Sequence, residues 1–421
     1  MPRRVVVTGI GIVSPLGLKA AAHFEGLVSG KCGIAAITAF EVGDFPVRAA
    51  GEVKDFKGNK FLKNRKAIKM MARDIQLSVA AASLAAADAG VYDGAPDPTR
   101  FGVSMGAGLI PTELDELAAG AAVSVDGAKQ FDLRRFGKEG LANLFPLWLL
   151  KYLPNMLNSH VAIEYDAQGP NNCITAGNAS GVLAIGEAAR VIERDQADLM
   201  LAGAAETKIH PLSLVRLYLA GKLSTAADMT ERGTRPFGPR RSGLAASEGG
   251  AVAVLEEEGH ARARGARVYA EIAGFGSSCG GQLVPEVSAD ACGALEAMRQ
   301  AIADAGMTAG DVDAVFADAS GLPEDEVEAR AIADALGAGR AVTATRGALG
   351  HMMSAAGAAD VCVAAMSIAK GVVPGTLGTD GTGDMPIDVI SEARSGEYGA
   401  ILVNAFSFGG QTSSIILKKH A

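Results

Sequence analysis

The stretch Cys173-Ile-Thr-Ala-Gly-Asn-Ala-Ser-Gly-Val182 runs from a short β-like segment through a turn of small residues into Gly181-Val-Leu-Ala-Ile-Gly-Glu-Ala-Ala-Arg-Val-Ile192, where apolar residues recur at helical spacing. A strand, a tight turn and a helix in this order form an elbow that presents one side chain at the positive end of the helix. That is a place for a nucleophile, yet the tip residue is Asn178, and a carboxamide forms no covalent intermediate. Asn178 can cap the helix, or its amide can donate to a developing oxyanion. Two neighbours fail as substitutes. Cys173 lies five residues upstream, in the strand, and reads as a buried structural thiol. Ser180 has Asn178 and Val182 where a Gly-x-Ser-x-Gly elbow has glycines, which argues against a serine hydrolase.

Moving outward, the chain repeats itself weakly. Ala85-Ala-Ala-Asp-Ala-Gly-Val91 is echoed by Ala301-Ile-Ala-Asp-Ala-Gly-Met307. Each precedes a strand-like run, Phe101 to Met105 and Ala314 to Asp318, that ends in small residues. The elbow helix is echoed by Ala355 to Ile368. Alternating β and α segments, repeated twice, predict stacked α/β layers. The charged run Glu256 to Arg264 reads as a seam between the repeats.

Composition excludes several classes. Of 421 residues, 49% are hydrophobic and 20% charged, enough apolar material for a large core. The net charge of −8 argues against a nucleic-acid binder. Cys32, Cys173, Cys279, Cys292 and Cys362 lack metal-ligand spacing, so no metal and no cofactor is expected; an odd count of scattered thiols points to a reducing, cytoplasmic setting. Met1-Pro-Arg-Arg leads straight into a strand-like run, and Leu144 to Leu150 is too short to span a bilayer.

The elbow resembles that of β-ketoacyl-acyl carrier protein synthases in the condensing-enzyme (thiolase) superfamily, where the tip residue is cysteine. Counting forward from Gly169-Pro170, the cysteine position falls on Asn178. Further matching segments are Arg4 to Gly17, Arg235-Pro-Phe237, Ser247-Glu-Gly-Gly250 and Asn404-Ala-Phe-Ser-Phe-Gly-Gly410. The resemblance implies an α/β thiolase fold, layered αβαβα, built from two pseudo-symmetric halves, 1–257 and 258–421.

It also implies where function should lie. The family's first catalytic histidine falls near Ala317 to Ala319, where Asp318 is the ionisable residue, and Thr345-Arg-Gly-Ala-Leu-Gly-His351 places Arg346 at the family's lysine and His351 at its second histidine. Degenerate catalytic positions of this kind are similar to a chain length factor, a non-catalytic ketosynthase-like subunit that pairs as a heterodimer with an active ketosynthase and shapes its acyl tunnel. Asn178 and His351 depart from that pattern, in which Gln is usual at the elbow and the second histidine is often missing. Two other readings are a malonyl decarboxylase or acyl-transferring relative that uses His351 and Asn178, and a module that binds an acyl group or acyl carrier protein without chemistry. The resemblance implies tunnel residues Gly108, Leu109, Ile110, Thr112, Phe406 and Phe408. It also implies an acyl carrier protein, with its phosphopantetheine-bound chain, docking on a basic helix with Lys63, Arg65, Lys66 and Lys69. Lys129, Arg134, Arg135 and Lys138 form a second basic cluster in a segment read as an insertion, Ala121 to Leu144.

Overall fold

The computed structural model describes residues 3–91, 96–281, 291–381 and 383–421. Eleven strands form one continuous mixed sheet: β1 (Val5–Val13), β2 (Phe101–Gly106), β3 (Asn171–Ile174), β4 (Leu199–Thr207), β5 (Glu248–Glu257), β6 (Ala270–Cys279), β7 (Ala314–Phe316), β8 (Arg340–Thr343), β9 (Ile387–Val389), β10 (Ala400–Phe406) and β11 (Gln411–Lys418). Their order is β9-β8-β7-β10-β11-β6-β1-β5-β4-β2-β3. Starting from the central β1–β6 contact, each direction repeats one pattern. The pairs β1–β5 and β5–β4 are antiparallel, and β4–β2 and β2–β3 parallel. On the other side β6–β11 and β11–β10 are antiparallel, and β10–β7 and β7–β8 parallel. The weak sequence repeat is thus a pseudo-twofold relation centred on the short antiparallel pairing of Val5–Val7 with Ala270–Ile272.

Long helices complete the layers, among them α1 (Arg73–Ala89), α2 (Ser180–Glu193), α3 (Cys292–Asp304) and α4 (Ser354–Lys370). The outer α1 packs on β1, β5 and β4, and the outer α3 on β6 and β11. Between them α2 and α4 touch each other and strands of both halves. Their sequences explain the positions. Residues Ser354 to Ile368 of α4 are all buried, as a helix covered on every side requires, and small residues let it approach its neighbours closely. β1 reads Val-Val-Val-Thr-Gly-Ile-Gly-Ile-Val and is buried on both faces, the pattern of a strand inside a layered sheet. This is the layered α/β thiolase-type fold expected from the sequence.

One local expectation is corrected. The basic segment is not an α-helix: Gly58–Phe61 and Arg65–Met70 are 3₁₀ turns, and Lys63 is turned back onto the Glu164 carbonyl and the Tyr165 ring. The Ala121 to Leu144 segment forms only short helical turns around Leu133–Asn143. Among the described residues no helix is long and apolar enough to cross a membrane.

Candidate active site

In parallel α/β layers, sites form where strands end and chains turn into helices. Here two such turns, related by the pseudo-twofold, meet. One leads from β3 through Asn178 into α2; the other leads from β8 through His351 into α4. Their side chains face each other, with Asn178 Nδ2 3.5 Å from His351 Nε2.

The elbow is shaped by Gly177, which has φ +58° and sits where any Cβ would collide with Ser407 Oγ. Ser407 Oγ in turn accepts the Asn178 backbone N–H at 3.3 Å. The expectation that Asn178 caps the helix does not hold. Ala179 occupies the cap position and the Asn178 amide is turned instead toward the imidazole, 5% exposed.

His351 has a fixed role in this arrangement. Its Nδ1 accepts the Met353 backbone N–H at 3.0 Å, so the neutral ring carries its proton on Nε2. The Asn178 end that pairs with this N–H is therefore the carboxamide oxygen, the flipped orientation of the amide. Burial, and then the charge of Arg346, push the His351 pKa down to about 3. At neutral pH the ring is an uncharged hydrogen-bond donor, not a base. Met353 holds φ +49° beside it, a strained conformation for a side-chain-bearing residue of the sort found at working sites.

Behind His351 lies a buried charged group. Arg346 Nη2 binds Asp318 Oδ1 at 2.6 Å, and Arg346 Nη1 is ion-paired with Asp360, whose other oxygen accepts from Thr345 Oγ1 at 2.6 Å. Asp318 Oδ1 stands 4.0 Å from His351 Nε2, and Oδ2 accepts the Phe406 N–H at 3.2 Å. Burial raises the Asp318 carboxyl above its ordinary range, while Arg346 pulls it back. Glu328 Oε1 accepts both the Asp318 N–H and Asn404 Nδ2 at 3.0 Å. Burial, reinforced by the Asp318 charge, lifts Glu328 to about 8, so it holds a proton at neutral pH. The four degenerate positions read from the sequence, Asn178, Asp318, Arg346 and His351, are thus brought together. Burial raises the Cys173 thiol to about 11, which disfavours the thiolate.

Two cavities open on either side of Asn178 and Phe408. One, about 110 Å³, is lined by Asp318, His351, Leu322 and Phe406; the other, about 370 Å³, by Gly108, Leu109, Glu206, Lys208 and Met353. Of the residues expected to line a tunnel, Gly108, Leu109 and Phe408 face the second cavity and Phe406 the first. Ile110 is packed in the core beside α1, and Thr112 lines neither cavity. Arg65, Lys66 and Lys69 are exposed on the surface. Sequence reasoning missed Glu206, whose Oε2 accepts the Ser354 N–H at 2.9 Å at the start of α4. The signal was there: a charged pair, Glu206 and Lys208, directly after the small apolar run Leu201-Ala-Gly-Ala-Ala205.

Comparison with known proteins gives the family. Residues 2–261 match the description "Beta-ketoacyl synthase, N-terminal domain" and 269–380 match "Beta-ketoacyl synthase, C-terminal domain". The chain is 34% identical over 427 aligned positions to the 3-oxoacyl-[acyl-carrier-protein] synthase 2 of Vibrio cholerae serotype O1, covering 99% of both. It is 32% identical to the mitochondrial 3-oxoacyl-[acyl-carrier-protein] synthase of Arabidopsis thaliana, covering 98% of this chain and 93% of the relative. Among solved structures, a beta-ketoacyl synthase from Burkholderia phymatum superposes with TM-score 0.89 at 27% identity, and the ishigamide ketosynthase/chain length factor with 0.87 at 26%, each over the full length of both chains. Several curated relatives near 33% identity over their whole length are named as synthases. That overturns the expectation of a non-catalytic subunit of the chain-length-factor type, and with it the decarboxylase and binding-module readings. The expectation gave the replaced catalytic positions, Asn178 and Asp318, more weight than the similarity of the remaining chain. The chain belongs to the β-ketoacyl synthase family.

Proposed function

We propose that this chain acts on acyl-carrier-protein thioesters as a 3-oxoacyl-ACP synthase, joining an acyl group to two carbons of a malonyl unit. The observation that carries the reading is the meeting of Asn178, which borders both cavities, with the Nε2–H of His351, which borders the first. A thioester carbonyl that takes the place of the Asn178 oxygen receives the His351 Nε2–H where negative charge develops, the main requirement of carbon–carbon bond formation through an enolate.

Asn178 stands at the position of the family's cysteine, so the acyl group stays on its carrier and is not parked on the elbow. The malonyl thioester loses CO₂, and the electron pair of the broken C–C bond becomes the enolate. The enolate carbon attacks the acyl thioester carbonyl. The C–S bond then breaks, and the leaving carrier thiolate takes a proton from solvent. His351 holds the oxygen on which charge gathers, and the Met353 N–H on its Nδ1 keeps the imidazole in place.

The acyl chain lies in the cavity of Gly108, Leu109 and Phe408, and Phe406 lines the neighbouring cavity. Arg65, Lys66 and Lys69, with Lys63 beside them, meet the acidic carrier protein. The halves divide at 257/258. The edge strand β3 and the exposed apolar residues Leu109, Leu133 and Phe145 take a second ketosynthase subunit. The protein works in the cytoplasm.

The test is to mix octanoyl-ACP and malonyl-ACP with the protein and record intact masses of carrier and protein. We expect 3-oxodecanoyl-ACP without an acyl adduct on the protein. An adduct on Cys173 would overturn the reading of the elbow. Absence of product, where a cysteine-bearing relative forms it, would overturn the synthase reading.

A further inference from the structure

The second cavity holds a feature that a hydrocarbon chain does not need. Strand β4 ends in Glu206-Thr207, and the next residue, Lys208, lines the same cavity as Asn178 and Gly108. Its side chain is only 13% exposed. Lys208 Nζ donates to the Leu109 carbonyl at 2.8 Å and is ion-paired with Glu206. An ammonium has three protons, and among the described residues only these two partners are found.

Glu206 cannot turn to take the third proton. Its Oε2 is held by the Ser354 N–H, and its carboxylate lies where a Cβ at position 108 would be, against Gly108. In an open cavity water satisfies the remaining N–H. A fully hydrocarbon chain that displaced this water would leave a charged donor buried and unpaired, which is costly. Glu206 already balances the charge of Lys208, so the missing partner is a neutral acceptor and not an anion.

We propose that the acyl chain preferred by this cavity carries a neutral oxygen acceptor, a keto or hydroxyl group beyond the thioester, and that Lys208 is the residue that selects it. The inference rests on the proposed acyl-thioester function, since it assigns this cavity to the acyl chain.

The experiment uses non-hydrolysable pantetheine amides of decanoic acid and of 5-, 7- and 9-oxodecanoic acid, titrated calorimetrically into the full chain. At least one oxo position should bind about tenfold more tightly than decanoyl, the effect of one hydrogen bond to a charged donor. Lys208→Met should abolish the difference by strengthening decanoyl binding relative to the oxo compounds, and Lys208→Arg, which keeps a donor and the charge, should retain it. Equal affinities throughout the series, or a preference that survives in Lys208→Met, would show that Lys208 does not select the chain while leaving the acyl-binding reading standing. If no amide binds, decanoyl included, the cavity is not an acyl site and both readings fall.

Discussion

The turn from β3 into α2 and its counterpart from β8 into α4 occupy equivalent places in the two halves, but what lies beneath them differs. Under the first are small residues and neutral hydrogen bonds: Ser180 Oγ bridges the Ala176 N–H and the Gly177 carbonyl at 2.7 and 2.6 Å, and Ser407 receives the Asn178 N–H. Under the second is Arg346, buried between Asp318 and Asp360 with Glu328 close by. A repeated scaffold fixes where side chains arrive without fixing what they do. The N-terminal half supplies space and an exchangeable tip residue; the C-terminal half supplies a donor held in place by charges.

The largest effect that could break this contrast is on stability. Arg346→Met leaves two buried carboxylates without their counter-ion and should cost about 3–5 kcal/mol, measured by urea unfolding. A loss below about 1 kcal/mol would mean that the charges are not what holds the second turn. Next comes chemistry: His351→Ala should lower 3-oxoacyl-ACP formation about 10²-fold with the fold intact by circular dichroism, since one preorganised donor to an oxyanion is worth that much.

A smaller effect concerns pH. Glu328 titrates near 8 in the folded chain and near the ordinary glutamate value when unfolded. Between those values the native state holds a proton that the unfolded state has lost, so stability falls as pH rises through this window, by at most about 1.4 kcal/mol per unit. Glu328→Gln should flatten the decline in Tm between pH 5 and 8; an unchanged slope would assign it to other groups, such as Asp74, which burial lifts to about 7. The smallest effect sharpens the comparison from the other side. Asn178→Ala loses one long side-chain contact and should change stability by less than about 1 kcal/mol, in clear contrast to Arg346→Met.

The elbow and the repeat were legible in the sequence from local signatures, periodicity for α2 and small residues at the turn, whereas Asp318, Arg346 and His351 were placed by the resemblance to ketosynthases. The roles were less legible. Asn178 read as a helix cap because Asn commonly caps, but a cap depends on backbone angles, and Ala179 stands at that position. Lys63 to Lys69 read as a helix from its charges, though without an apolar stripe nothing demands helical spacing there. Glu206 lay hidden because its partners, Ser354 and Lys208, are a helix start 148 positions away and a strand-end neighbour. Such a pair exists only once the layers have closed.

The strand pairing that joins the two halves, Val5–Val7 with Ala270–Ile272, also makes the site a reporter of assembly. Asn178 and Glu206 come from one side of residue 258, and His351 and Ser354 from the other, so a fragment ending at 257 carries half of each contact. The second cavity is divided unequally: Gly108, Leu109, Asn178, Glu206 and Lys208 lie before 258, and Met353 and Phe408 after it, so a fragment ending at 257 would keep one wall and lose the other. The contact of Asn178 with His351, one residue from each half, therefore forms only when both halves have closed on each other.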